Sequence, residues 1–164
     1  MKKSELKTVG NPEQKLKEIV NKMAIYFNKN ISNADLVQWM SSATGWLIDD
    51  NQLVDSAGKP TESFEFICAI SYTGLLPDLV KCTTNQERLD TLIISLPGYF
   101  TNSSYKELKK GIGEIGICFL KYEYQNQYSI DVLNTYLNIY TTFLNLIEMY
   151  HDYDKCYEEF RKAA

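Results

Sequence analysis

One histidine, His151, in 164 residues is the tightest restriction on what this chain can do. Zinc sites built on paired histidines need more imidazole than that, and so do di-iron bundles built on two Glu-x-x-His repeats. Glu148-Met149-Tyr150-His151 supplies the second motif once, so it fails on counting. A cysteine nucleophile would have to use His151 as its base. The nearest thiol in sequence, Cys156, stands about 140° around a helix from it. No Gly-x-Ser-x-Gly elbow, Ser-x-x-Lys pair or Walker loop is present. A pair of carboxylates stays open as a catalytic set, because two Glu need only converge in space.

Cysteine is sparse and scattered. Cys68, Cys82, Cys118 and Cys156 sit singly in apolar surroundings with no Cys-x-x-Cys pair, which predicts buried free thiols of a reducing compartment; disulfide pairing is the alternative. Long apolar runs are missing too, and nothing approaches the ~20 residues of a bilayer span. Met1-Lys2-Lys3 leads into Ser4 and Glu5 rather than into the apolar core of a secretory signal. The expectation is a cytoplasmic protein that does not engage membranes, in which the sequons Asn30-Ile31-Ser32 and Asn102-Ser103-Ser104 carry no meaning.

Positive charge is also in short supply, 17 basic against 21 acidic side chains for a formal charge of -4. Lys2, Lys3, Lys7, Lys15, Lys17, Lys22 and Lys29 give the start of the chain a basic side, but Glu5, Glu13 and Glu18 dilute it. Neither nucleic acid nor anionic lipid is an expected partner. The middle of the chain is an acidic zone where Asp49, Asp50, Asp55, Glu62 and Glu65 cluster. Such a zone presents a negative face to a basic partner, or is a solvated loop and helix start where carboxylates ordinarily gather.

What the chain has in abundance is helical patterning and tyrosine. Asn11-Pro12-Glu13 opens a helix that Leu16, Ile19, Val20, Met23, Ile25, Tyr26 and Phe27 continue to about Lys29. A second follows Ser32 or Asn33, with Leu36, Val37, Met40, Ala43, Leu47 and Ile48 as its apolar face and Thr44-Gly45 as a place where it can bend. Asp49 to Pro60 reads as the clearest loop, and a third helix runs from about Thr61 to Thr73. Thr84-Asn85-Gln86-Glu87 fits a capping box for a fourth that ends before Pro97-Gly98. A fifth begins near Ser103 or Ser104 and runs through Leu108, Ile112, Ile115, Phe119 and Tyr122 until Gln125-Asn126-Gln127. The sixth covers Ser129 to Ala164. These readings predict an all-α, single-domain bundle of about six helices with a long C-terminal helix, spanning 11–164 behind a flexible lead of residues 1–10.

Gly111-Ile112-Gly113-Glu114-Ile115-Gly116 spells the dinucleotide-binding Gly-x-Gly-x-x-Gly. The phosphate-cradling turn needs a strand before it and a helix opening at it, whereas Lys106 to Lys110 are helical in pattern. The glycines read instead as a flat strip where another helix comes close, or as a place where the helix deforms; no cofactor is implied. In the last helix Tyr136, Tyr140, Phe143, Ile147, Tyr150 and Tyr157 recur at helical spacing. A tyrosine row lines a core edge or a binding surface equally well.

Elimination leaves a non-enzymatic protein-binding module as the leading function. Its concrete form is a bacterial immunity- or antitoxin-like protein that sequesters a basic toxin or effector, using the acidic zone together with Tyr136, Tyr140, Tyr150 and Tyr157 as anchors. The competing expectations are a ligand-binding or enzymatic bundle with an apolar pocket near Trp39 and Trp46, and a structural homodimer of the C-terminal helix.

Overall fold

The computed structural model describes residues 11–70, 90–92, 95–96 and 104–163. Helix α1 spans Pro12–Asn30, α2 Asn33–Asp49, α3 Glu62–Ile70, α4 Tyr105–Asn126 and α5 Ile130–Ala163. Residues 90–92 and 95–96 are helical as well. The chain is an all-α bundle with a long C-terminal helix, as its patterning predicts.

Each helix starts where the local chemistry dictates. The Asn11 side chain accepts from the Glu13 amide at 3.1 Å ahead of Pro12, whose missing N–H costs nothing in a first turn. Ser32 accepts from the Asp35 amide at 3.1 Å to open α2, which then passes through Thr44-Gly45 as one uninterrupted helix. Ser104 and Glu107 form a reciprocal capping box at α4, each side chain accepting from the other residue's amide. Helix α4 ends at Gln127 in the left-handed region, with its N–H returned to the Glu123 carbonyl. Residues 127–129 then turn the chain straight into α5.

The loop between α2 and α3 is tightly built. Asp55 accepts from the amides of Ala57 (2.8 Å) and Lys59 (2.9 Å), and Gly58 closes the turn at φ +75°, a backbone angle glycine adopts without strain. A lone antiparallel bridge joins Val54 to Pro60.

The apolar stripes of these helices meet in one core. Helix α1 lies along α5 through Leu16, Val20, Met23, Ala24 and Phe27, while α3 and α2 both pack on α4. Trp39 meets Phe143 at 5.2 Å, Phe66 meets Phe143 edge-on at 5.6 Å, and Trp46 meets Phe119 at 5.6 Å. Trp39 and Trp46 are both buried in this core. Cys118 and Cys156 are buried thiols as expected, whereas Cys68 is exposed, contrary to expectation. No helix among the described residues is long and apolar enough to cross a membrane. The expected N-terminal lead, the end of the third helix, the Thr84 capping box, the Pro97-Gly98 stop and Cys82 lie outside the described residues.

Candidate protein-docking site

The acidic zone is engaged with the protein's own groups. Asp50, at the end of α2, pairs with Lys121 of α4 and accepts from the Cys118 thiol at 3.6 Å; the Lys121 contact holds its carboxyl below the usual range. Glu62, at the start of α3, pairs with Lys110 at 2.8 Å, which likewise lowers its pKa. Asp55 is lowered by the amides of Lys59 and Ala57 that organise its turn. Asp49 lies beside the Tyr122 hydroxyl. Glu65 sits half-buried on α3. Asp50 and Glu62 thus tie α2 and α3 to α4, Asp55 organises its own turn, and Asp49 and Asp55 stay exposed at the surface.

The tyrosine row divides. Tyr136 and Tyr150 are buried, at 4% and 7% exposure, and belong to the core rather than to a contact surface. The Tyr136 hydroxyl shares a hydrogen bond with Ser42 at 2.8 Å. Burial pushes the Tyr150 phenol up to about 12, and Tyr153, fully buried beside it, is raised further for the same reason. Tyr157 is half-buried and stacked on Tyr153 at 5.7 Å. Tyr140 faces a recess, its ring laid over Gly116.

One group of titratable side chains converges between α4 and α5. The Tyr105 hydroxyl is 2.6 Å from both Glu148 carboxylate oxygens, Lys109 donates to Glu148 at 2.8 Å, and the His151 ring stacks on Tyr105 at 4.0 Å. Lys109, then Tyr105, lowers the Glu148 pKa, and Glu148, then Tyr105, raises that of Lys109. Both shifts run away from neutrality, the opposite of what a general base or acid needs. The cluster reads as an exposed clamp between two helices, worth little in stability as surface ion pairs generally are. Among the described residues no group of three or more His, Cys, Asp or Glu is placed to hold a metal ion.

The glycines of α4 expose the most informative surface. A Cβ on Gly111 would sit 2.5 Å from the Glu62 carbonyl oxygen, so this glycine lets the first turn of α3 rest on the α4 backbone. A Cβ on Gly116 would lie 2.8 Å from the Tyr140 ring. Gly113 meets nothing within 4 Å. With Gly116, Ile117, Phe119, Leu120, Leu137 and Tyr140 it lines an open apolar recess of ≈ 150 Å³ between α4 and α5. Around that recess large apolar side chains stand in water: Ile117 is 68% exposed, Leu120 61%, Tyr124 85% and Leu137 46%.

Helix α4 therefore has two apolar faces. Leu108, Ile112, Ile115 and Phe119 point into the core, while Gly113, Ile117, Leu120 and Tyr124 form a second stripe turned outward. That second stripe follows the same three- and four-residue spacing, but the sequence pattern of Leu108, Ile112, Ile115, Phe119 and Tyr122 does not include it.

Comparison of the chain with protein-family models, with characterised proteins and with solved structures finds no match.

Proposed function

We propose that this protein is a non-enzymatic, stoichiometric protein-binding module, of the kind an immunity or antitoxin protein represents, and that it docks through the outward apolar face of α4 and the adjoining edge of α5. The observation that carries this reading is the stripe Ile117, Leu120 and Tyr124 exposed beside a recess floored by Gly113 and Gly116. Contiguous exposed apolar surface on a folded domain marks a contact site, because leaving it in water forgoes the burial that holds the rest of the molecule together. The recess suits an amphipathic helix or an apolar loop of another polypeptide. Its walls carry a single hydroxyl, that of Tyr140, so it lacks the converging polar groups that orient a small substrate.

The reading moves the contact away from Tyr136, Tyr150 and the acidic loop. Affinity capture with tagged wild-type, Ile117→Asp and Asp55→Lys chains, quantified by mass spectrometry, separates the two surfaces. The expected result is loss of captured polypeptide in Ile117→Asp and retention in Asp55→Lys. The reverse pattern defeats the proposal.

A further inference from the structure

The outward face of α4 is close to its own complement, and we propose that it pairs with the same face of a second copy of this chain, the two α4 helices running antiparallel about a two-fold axis between residues 118 and 119. The proposal rests on that face being a contact surface, and it names the occupant. About this axis Ile117 of one copy meets Leu120 of the other, twice. The same operation sets Tyr124, the most protruding ring of the stripe at 85% exposure, opposite Gly113, where nothing lies within 4 Å of an added Cβ. A large knob thus enters a recess floored by glycine at both ends of the contact, as an isologous interface requires.

Charge follows the same symmetry. Glu114 and Lys121 are one heptad apart, about 20° around the helix, so they share a flank of the stripe. It is the flank turned toward α3 and α2, since Glu114 accepts from Ser63 at 2.5 Å and Lys121 pairs with Asp50. A two-fold axis lying across both helices keeps like flanks together. Lys121 of one copy then comes within ~3 Å of level with Glu114 of the other, again twice. Both side chains keep capacity for the new contact, being 31% and 48% exposed respectively for Glu114 and Lys121. A parallel pairing would instead set Tyr124 beside Tyr124 and put the Glu114 and Lys121 flanks of the two copies on opposite sides of the contact, where they do not meet. Antiparallel packing also sets the two α4 dipoles in opposition, which favours it further.

Self-pairing and docking of a different polypeptide use one face and exclude each other. Sedimentation equilibrium of the purified full chain, at loadings from about 1 µM to 1 mM, tests the pairing. The wild-type protein should shift from monomer to dimer mass across that range. Ile117→Asp should raise the dissociation constant at least about tenfold while leaving the circular-dichroism melt unchanged, because Ile117 is an exposed side chain. Glu114→Lys and Lys121→Glu should each weaken association, and an equimolar mixture of the two should associate more tightly than either alone, since only the mixed pair has both contacts of opposite sign.

A monomer mass throughout, a dimer indifferent to Ile117→Asp, or a mixture no tighter than its components overturns the proposal. A monomeric wild-type chain that still loses a captured polypeptide in Ile117→Asp overturns the pairing while the docking surface stands.

Discussion

Replacing the three glycines of α4 one at a time with alanine should give stability changes of different size, although the sequence context is nearly the same for each. In a helix interior, Gly→Ala by itself stabilises by about 1 kcal/mol through backbone entropy. Gly113→Ala should show that gain, because its new methyl meets nothing within 4 Å. At Gly111 the methyl would stand 2.5 Å from the Glu62 carbonyl oxygen and 2.8 Å from the Glu62 carbonyl carbon, and these are backbone atoms that no rotamer change removes. Relief requires α3 to back away from α4 by roughly 1 Å, loosening the burial of Phe66 and Ile67 and the Ser63–Glu114 hydrogen bond. Overpacking of that kind costs about 1–3 kcal/mol, which cancels or exceeds the helical gain and leaves Gly111→Ala a net ~0–2 kcal/mol less stable. Gly116 falls between, because its neighbour is the half-buried Tyr140 ring, which can swing into the recess. Urea unfolding followed by circular dichroism reads all three, with the midpoint moving and the slope constant. If Gly111→Ala stabilises as much as Gly113→Ala, the close seat of α3 on α4 is wrong.

Other outcomes follow from single contacts. Tyr150→Ala should destabilise by about 3–5 kcal/mol, the cost of emptying a large core site, and thermal melting would expose the error if the ring were a dispensable surface anchor. Ser104→Ala removes the capping-box acceptor of α4 and should cost about 1 kcal/mol by urea unfolding. Tyr150, raised to about 12, holds its proton longer in the folded than in the unfolded chain, so its stabilising effect is complete below about pH 10 and is lost as pH rises toward 12. An absorbance titration of the phenolates should therefore show part of the tyrosine signal appearing only with alkaline unfolding. Glu148 carries the opposite sign: its lowered pKa adds stability that is present above the usual glutamate value of 4.5 and fades as pH falls through the folded value, so Glu148→Gln should flatten the acid limb of the stability curve.

Helix starts were the most legible feature of the sequence, because they depend on neighbours a few residues away. Asn11-Pro12, Ser32 and Ser104 each open a helix where their side chains can accept a first-turn amide. The loop of Asp55 and Gly58 was visible for the same reason. Gly45 was less so: a glycine lowers helix propensity, yet the burial of Trp39, Ala43, Trp46 and Leu47 on either side carries α2 through it. The candidate site was harder, since periodicity places residues on a face without saying what covers that face. Tyr136 and Tyr150 share one side of α5, and packing against α1, α2 and α4 puts that side in the core. Ile117, Leu120 and Tyr124 have the same composition and spacing as core residues, and they stay in water only because nothing among the described residues lies over that side of α4. Asp50 and Glu62 found their cations, Lys121 and Lys110, across 71 and 48 residues of sequence, a separation no local pattern reveals.

Whether the outward face of α4 makes the protein's contacts is tested most directly by photo-crosslinking in the cells that make it, with a benzophenone amino acid at position 124 in one chain and at position 55 in another. Adducts to polypeptide, another protein or a second copy, should form from position 124 and be absent from position 55. Adducts from the Asp55 loop, with position 124 silent, would contradict the assignment of the docking surface.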